Sequence, residues 1–390
     1  MAGKFGAGAI LRIPSTTPVI GVGGELKNTV CVVKDGAATL SPAIGNLREG
    51  GDYRRFLGSL QKAVSEATSG HSSRAGVRLV LAHDLHPTYL STVAARRSAA
   101  ASDGIRTEAV QHHHAHIVAC MVEHGVTEPV IGIACDGAGF GSDGAVWGGE
   151  VLHVTRAAFE RSAHIGYFAL PGGDAAAKET WRAALGVIHS TSGGALSPDQ
   201  RAVFERVGRE KVEAVQTMLE RGLNAPKTSS LGRLFDAAAF LTGVCDFNAF
   251  EGQAAIALEE AAEGELEPAY PFEMVDSDGK RELVVRKMIV ELCRDVRAGA
   301  DRRVMASRFH ATAAAMVSTA ALAASGAYGV DCVALSGGCF LNRILVECVE
   351  RLLIEGGVKR VLKHENLSSG DASLALGQAA VAAARLEERE

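Results

Sequence analysis

The stretch PVIGIACDGAGFGSDGAVWGGEVLHV, residues 129–154, decides how this 390-residue chain is read. An apolar run breaks at a glycine-rich turn and resumes as a second apolar run, which predicts two strands, with a third near 162–170. The same grammar stands earlier, in PVIGVG (18–23), TVCVVKD (29–35) and AATLSPAI (37–44). Each meander leads into alternating elements. After the first come a helix around 53–67, a strand ending at Asp84, a helix from Tyr89, a strand to Gln111 and a helix through His124. After the second, a mostly helical segment from about 175 to 326 precedes a strand at 332–335, a helix from Asn342, the strand RVLKHE and a final helix. Strands alternating with helices predict parallel sheet, so the fold class is α/β. Two meanders with matching sequels predict two halves of related build, divided near residue 128 and facing each other across a cleft.

Composition narrows the function. A net charge of -5 gives no bulk reason to expect nucleic-acid or anionic-membrane partners. An aromatic share of 5% beside 44 glycines points to close-packed helices and tight turns rather than a β-sandwich. The eight cysteines are scattered singly with no C-x-x-C pair, which argues against a disulfide framework or zinc finger and for a reduced, cytoplasmic compartment. The N-terminus lacks a signal-peptide core, and the longest apolar stretch, 311–325, falls short of the roughly 20 residues that cross a bilayer.

The sharpest local feature is VQHHHAHIVACMVEH (110–124). On a helix, His112 and His116 stand about 40° apart on one face, with His113 beside them and His114 on the far side. Two imidazoles one turn apart make metal-ligand spacing, and a third ligand, commonly a carboxylate, must come from elsewhere. His113 and His114 read as supporting or packing residues. In DGAGFGSDG (136–144), glycines let backbone N–H groups cradle phosphate, while Asp136 and Asp143 can bind a cation or its water; taken alone, the stretch reads equally well as a hairpin with permissive turns. In LSGGCFLN (335–342), a strand, two glycines and a helix start make an anion site with Asn342 placed to donate to phosphate or ribose. GVGGELKN (21–28) supplies a matching turn with Lys27. The charges of LPGGDAAAKETW and SSLGRLFDAAAF, Arg233 and Asp236 among them, read equally as caps, solvated faces or contacts.

Taken in order, DLHPTYLST, VQHHHAH, DGAGFGSDGAVWGGE, LPGGDAAAKETWR, SSLGRLFDA, FEGQAAIALE and ALSGGCFLN through ALGQA resemble the carbamoyltransferase domain of the HypF hydrogenase-maturation family, from about Val19 to the C-terminus. That domain is similar to TsaD, the tRNA threonylcarbamoyl transferase, within the actin, sugar kinase and heat-shock ATPase fold superfamily. The resemblance implies a two-lobed TsaD-like domain, with lobes at 17–128 and 129–390 and a helical insertion at about 186–300. It implies a carbamoyl group passed from carbamoyl adenylate, made from carbamoyl phosphate and ATP, to the C-terminal cysteine of a HypE-like acceptor, on the way to a cyanide ligand of a nickel-iron centre. The cofactors implied are ATP or carbamoyl adenylate/AMP and a divalent metal: iron first, zinc or magnesium as alternatives.

Carried over residue by residue, the resemblance places the metal on His112, His116 and Asp371. It places the nucleotide on Asp136, Gly137 and Gly139 at the phosphate side and on Gly172, Gly173, Gly337, Gly338 and Asn342 towards ribose and base. Lys27 or His113 would assist charge stabilisation or acceptor deprotonation. Two departures stand out. The acylphosphatase-like, zinc-finger and YrdC-like domains of full-length HypF are not read here, so a short form is expected. LSSGDASLALGQ (367–378) keeps Asp371 but replaces two permissive glycines of the family's turn by Ala372 and Ser373. Rival readings are an O-carbamoyltransferase acting on a small molecule, a kinase of the same fold, and a nucleotide-binding scaffold dependent on a separate adenylate-forming protein.

Overall fold

Six short strands make the first sheet: β1 (Leu11–Arg12), β2 (Val19–Gly21), β3 (Cys31–Lys34), β4 (Ala37–Leu40), β5 (Leu79–Asp84) and β6 (Ile105–Val110). They lie in the order β1-β4-β3-β2-β5-β6 in a computed structural model that describes residues 11–69, 76–264, 266–277 and 279–389. β2, β3 and β4 form an antiparallel meander, and β5 and β6 continue it in parallel. The second half repeats this pattern. β7 (Val130–Phe140), β8 (Val146–Val154) and β9 (Phe159–Ile165) form a meander that is followed, after β10 (Phe168–Ala169), β11 (Lys227–Thr228), β12 (Glu273–Ser277) and β13 (Lys280–Val284), by β14 (Cys332–Ser336) and β15 (Arg360–Lys363). The order β9-β8-β7-β14-β15, with its two parallel pairs, reproduces β4-β3-β2-β5-β6. The duplicated, two-lobed α/β architecture is therefore present.

Two differences from the sequence reading have simple causes. The segment expected to be mostly helical also holds the β12–β13 hairpin, and β13 pairs in parallel with β9 to widen the second sheet. Residues Glu273–Ser277 are exposed at nearly every position, so they carry no apolar alternation to announce a strand. The glycine stretch from Asp136 is not a loop throughout: β7 runs on to Phe140, and only Gly141 to Ala145 turns the chain.

The helix His112–Glu123 and the C-terminal helix Leu374–Glu387 lie between the two sheets. Their Ile117, Met121, Leu376 and Ala380 share one core with Val19 and Val80 of the first sheet and Ala134 and Leu152 of the second. Glycine makes this possible. A Cβ on Gly377 would sit 1.8 Å from the Ala115 carbonyl oxygen, and one on Gly21 would sit 1.9 Å from that of Ala375. Backbones thus meet without side chains between them, and the first helix is buried at every position from His112 to Val122. The apolar stretch 311–325 lies within the long helix Arg302–Tyr328; among the described residues no helix is long and apolar enough to cross a membrane.

Replacing Gly377 by Ala should cost about 1–3 kcal/mol in urea unfolding, because a methyl must enter occupied backbone space. Gly58→Ala, at an exposed helix position with nothing within 4 Å, should instead stabilise by about 0.5–1 kcal/mol.

Candidate metal and phosphate site

β6 ends at Val110, and Gln111 caps the next helix: its side-chain oxygen accepts from the His114 N–H at 2.9 Å. The histidine run therefore begins at the first helical position, deep between the sheets. Each ring has a different fate. His114 turns away to the Thr155 carbonyl, 2.9 Å from its Nε2, and burial lowers its pKa to about 4. His113 is fully buried, with Nδ1 3.1 Å from the Gln111 amide and its ring beside Trp147; burial, followed by the neighbouring His112, drives its pKa well below the imidazole range. A neutral, enclosed His113 packs and orients; it has no charge to offer a substrate.

His112 and His116, one turn apart, converge with Asp136 and Asp371 so that one ligand atom of each lies within 4.8 Å of all the others. His112 Nε2 is 3.4 Å from Asp136 Oδ2 and 3.8 Å from Asp371 Oδ1; His116 Nε2 is 3.2 Å and 3.5 Å from the same atoms. These separations suit a cation, since ligands at about 2.1 Å from a tetrahedral metal stand roughly 3.4 Å apart. Both Nε2 atoms and Asp136 Oδ2 are buried without a hydrogen-bond partner, so the donor set is complete but unsatisfied by protein. Burial opposes charge on both imidazoles, yet the surrounding carboxylates outweigh it and raise both pKa values.

Asp84, not singled out from the sequence, completes the arrangement. Wholly buried at the end of β5, its Oδ2 lies 2.7 Å from His112 Nδ1. It accepts the Nδ1 proton and leaves Nε2 facing the cluster, the carboxylate–histidine pairing that fixes metal-ligating imidazoles. Its only sequence signal was its place at the C-terminal end of a strand in DLHPTYLST.

The glycine loops serve this cluster more than they present free amides. Gly137 donates to Asp136 Oδ1 at 2.7 Å and Gly338 at 3.3 Å, which leaves Oδ2 for the histidines. Gly139 lies under the His112 and His113 rings, where a Cβ would come within 2.7 Å and 2.5 Å. Four expectations need correction. The side chain of Asn342 is engaged inside the protein, its oxygen capping the Leu345 N–H and one of its two amide hydrogens meeting His310 Nε2, instead of being held free for a ribose. The Gly172 N–H is taken by the Asn224 carbonyl of a separate loop, and the Gly173 N–H by the Leu170 carbonyl of its own turn. The Gly337 N–H is likewise taken, by the Ser369 carbonyl. Asp143 accepts from Trp147 Nε1 and Tyr167 Oη instead of facing a cation. Asp371 needs no glycine after it: Asp371–Ser373 is a 3-10 turn, and neither Ala372 nor Ser373 has positive φ.

Two cations flank the cluster. Arg233, only 11% exposed, forms an ion pair with Asp236 at 2.6 Å, and its other terminal nitrogen lies 3.3 Å from where a Cβ on Gly137 would stand. The helix Leu231–Leu241 starts at the same loop, with Ser230 donating to the Asp136 or Gly137 carbonyl, so its N-terminus also points a partial positive charge there. Lys27, half-exposed at the rim, bridges the halves to Glu251 at 3.1 Å; burial lowers its pKa, but Glu251, Asp371 and Asp136 together raise it, so it stays protonated.

Family models match nearly the whole chain: the HypF Kae1-like domain over residues 14–123, and the second subdomain of the carbamoyltransferase Kae1-like domain over 132–378. A carbamoyltransferase HypF homolog of Cupriavidus necator is 41% identical over 94% of this chain and 91% of its own length. The carbamoyltransferase HypF of Synechocystis sp. is 33% identical over 94% of this chain, which spans 47% of that relative. Among solved structures, full-length HypF in a phosphate- and nucleotide-bound form superposes with a TM-score of 0.87 at 33% identity, over 97% of this chain and 48% of that one.

Asp84→Asn should weaken zinc binding about 10- to 100-fold while the protein stays folded, as read by competition with a chromophoric chelator. Because the metal-free cluster holds protons on His112 and His116, zinc binding should release protons and tighten as pH rises. Calorimetry in buffers of different ionisation enthalpy checks this.

Proposed function

Since the chain belongs to the HypF family of carbamoyltransferases, we propose that it moves a carbamoyl group from carbamoyl adenylate, derived from carbamoyl phosphate and ATP, to the C-terminal cysteine thiolate of a HypE-like partner in nickel-iron hydrogenase maturation. The observation that carries this reading is the buried His112, His116, Asp136 and Asp371 set with its unsatisfied donor atoms, lying against a glycine loop flanked by Arg233 and Lys27. A carbamoyl adenylate is a mixed anhydride. Attack on its carbonyl builds negative charge on oxygen while AMP departs, so catalysis needs positive charge at two places in a water-poor cleft.

This chain offers that charge. Arg233 and the N-terminus of the helix Leu231–Leu241 face the loop where a phosphate would lie. Protonated Lys27 stands at the rim, suited to stabilising charge and not to accepting a proton. A divalent ion held by the two histidines and two aspartates would add Lewis-acid polarisation of a substrate oxygen. The thiolate comes from the partner in this reading, because burial pushes both thiols that border the site, Cys135 and Cys339, well above their ordinary range.

Incubating the chain with carbamoyl phosphate, ATP and a HypE-like acceptor, with and without a separate adenylate-forming domain, should yield a carbamoylated acceptor by intact mass spectrometry in at least one arm. No adduct in either arm overturns the proposal. Lys27→Met should slow transfer by about 10²-fold while changing stability by less than about 1 kcal/mol, since its ion pair is exposed.

A further inference from the structure

Glu123 is the last residue of the histidine helix, two turns beyond His116 and about 10 Å along the axis. It is charged, yet its side chain is only 5% exposed. Both its oxygens are committed to one loop. Oε1 accepts from three consecutive amides, Glu365 at 3.1 Å, Asn366 at 2.6 Å and Leu367 at 3.0 Å. Oε2 lies 2.7 Å from His364 Nδ1, and His364 Nε2 lies 3.0 Å from the hydroxyl of Ser336 at the end of β14. The loop then runs through Ser368, Ser369 and Gly370, and the Ser369 carbonyl accepts from the Gly337 N–H at 2.8 Å. Two residues later comes Asp371.

We infer that Glu123 is a positioning residue: by gathering the 364–367 backbone and His364, it holds the loop at the height on the helix that brings Asp371 to His112 and His116. The histidines and the anchor of their carboxylate partner ride on one rigid helix, so the separation of ligand atoms is set by helix geometry and not by the loop. Burial pushes the Glu123 carboxyl up, but His364 and the loop amides outweigh it and hold it down at about 2, as expected for a carboxylate that accepts four hydrogen bonds. With Nδ1–H donated to Glu123, His364 accepts the Ser336 hydroxyl proton at Nε2, which ties the loop also to the strand that leads into Gly337 and Gly338.

This inference rests on the metal reading of the cluster, and zinc titration of the metal-free full chain separates the two. Glu123→Gln should weaken zinc binding about 10- to 100-fold with far-ultraviolet circular dichroism unchanged. In an Asp371→Asn background the same substitution should change affinity less than about 2-fold, because the carboxylate it positions is gone. Val212→Ala, a core change in the distant helix Arg209–Glu220, controls for lost stability and should leave zinc affinity as it is. If Asp371→Asn weakens zinc binding and Glu123→Gln does not, or weakens it equally in both backgrounds, the positioning role is overturned. If His112→Ala and Asp371→Asn both bind zinc like the unaltered chain, the metal reading fails instead. Should Glu123→Gln not fold, His364→Gln is judged by the same criteria, with an expected weakening of about 3- to 10-fold.

Discussion

Burying one helix on all sides between two sheets imposes the constraint from which the site follows. Every polar atom on that helix must find a partner, since an unpaired buried polar group costs about 1–3 kcal/mol. His114 meets the constraint with a backbone carbonyl and Glu123 with three amides and an imidazole. His112 meets half of it with Asp84. His113 Nε2, His114 Nδ1 and His116 Nδ1 stay unpaired on the helix, but three further unmet atoms, Nε2 of His112 and of His116 and Oδ2 of Asp136, face one another. A cation would satisfy all three at once. The glycine contacts that let the two central helices touch are therefore part of the chemistry, because looser packing would admit water to those atoms.

The charge balance points the same way. Three carboxylates, Asp84, Asp136 and Asp371, surround two imidazoles in a region from which solvent is largely excluded. Raised histidine pKa values are the protein's own compensation for that excess of negative charge. Arg233 lies outside this inner set, paired with Asp236, whose pKa burial raises against the pull of the guanidinium. The arrangement thus separates a negative inner basin from a rim whose two cations, Arg233 and Lys27, are each held by a carboxylate. The basin is the part of the site whose charge calls for a cation.

Much of this was legible in the sequence, and the exceptions have physical reasons. Meanders with apolar alternation, the helix that starts in the histidine run and the pairing of His112 with His116 depend on local periodicity, which a sequence displays. Asp84 and Glu123 were not legible as site residues, since each gains its role from a segment 28 or about 240 residues away. Asn342 was misread because a helix-capping asparagine and a ligand-binding one have the same local signature; only the presence of Leu345 N–H and His310 decides between them. The glycines were read as phosphate donors, and in several cases their absent Cβ leaves space for a ring or a backbone oxygen instead.

The irregularity in β7 has a further consequence, for how the chain can change in length. Cys135 pairs with Gly149 and Gly139 with Trp147, so four steps along β7 are matched by two along β8. Two residues are surplus, and an even surplus restores the alternation of faces beyond the bulge. Asp136 can therefore swing out of the ladder towards the histidines without turning the rest of the strand inside out. A deletion of one residue between Cys135 and Gly139 would invert the facing of everything from Gly139 to Phe140, whereas a deletion of two would leave the sheet regular and remove the site. Sheet and site are thus separable features of this strand, the second added to the first by a length change that the sheet can absorb.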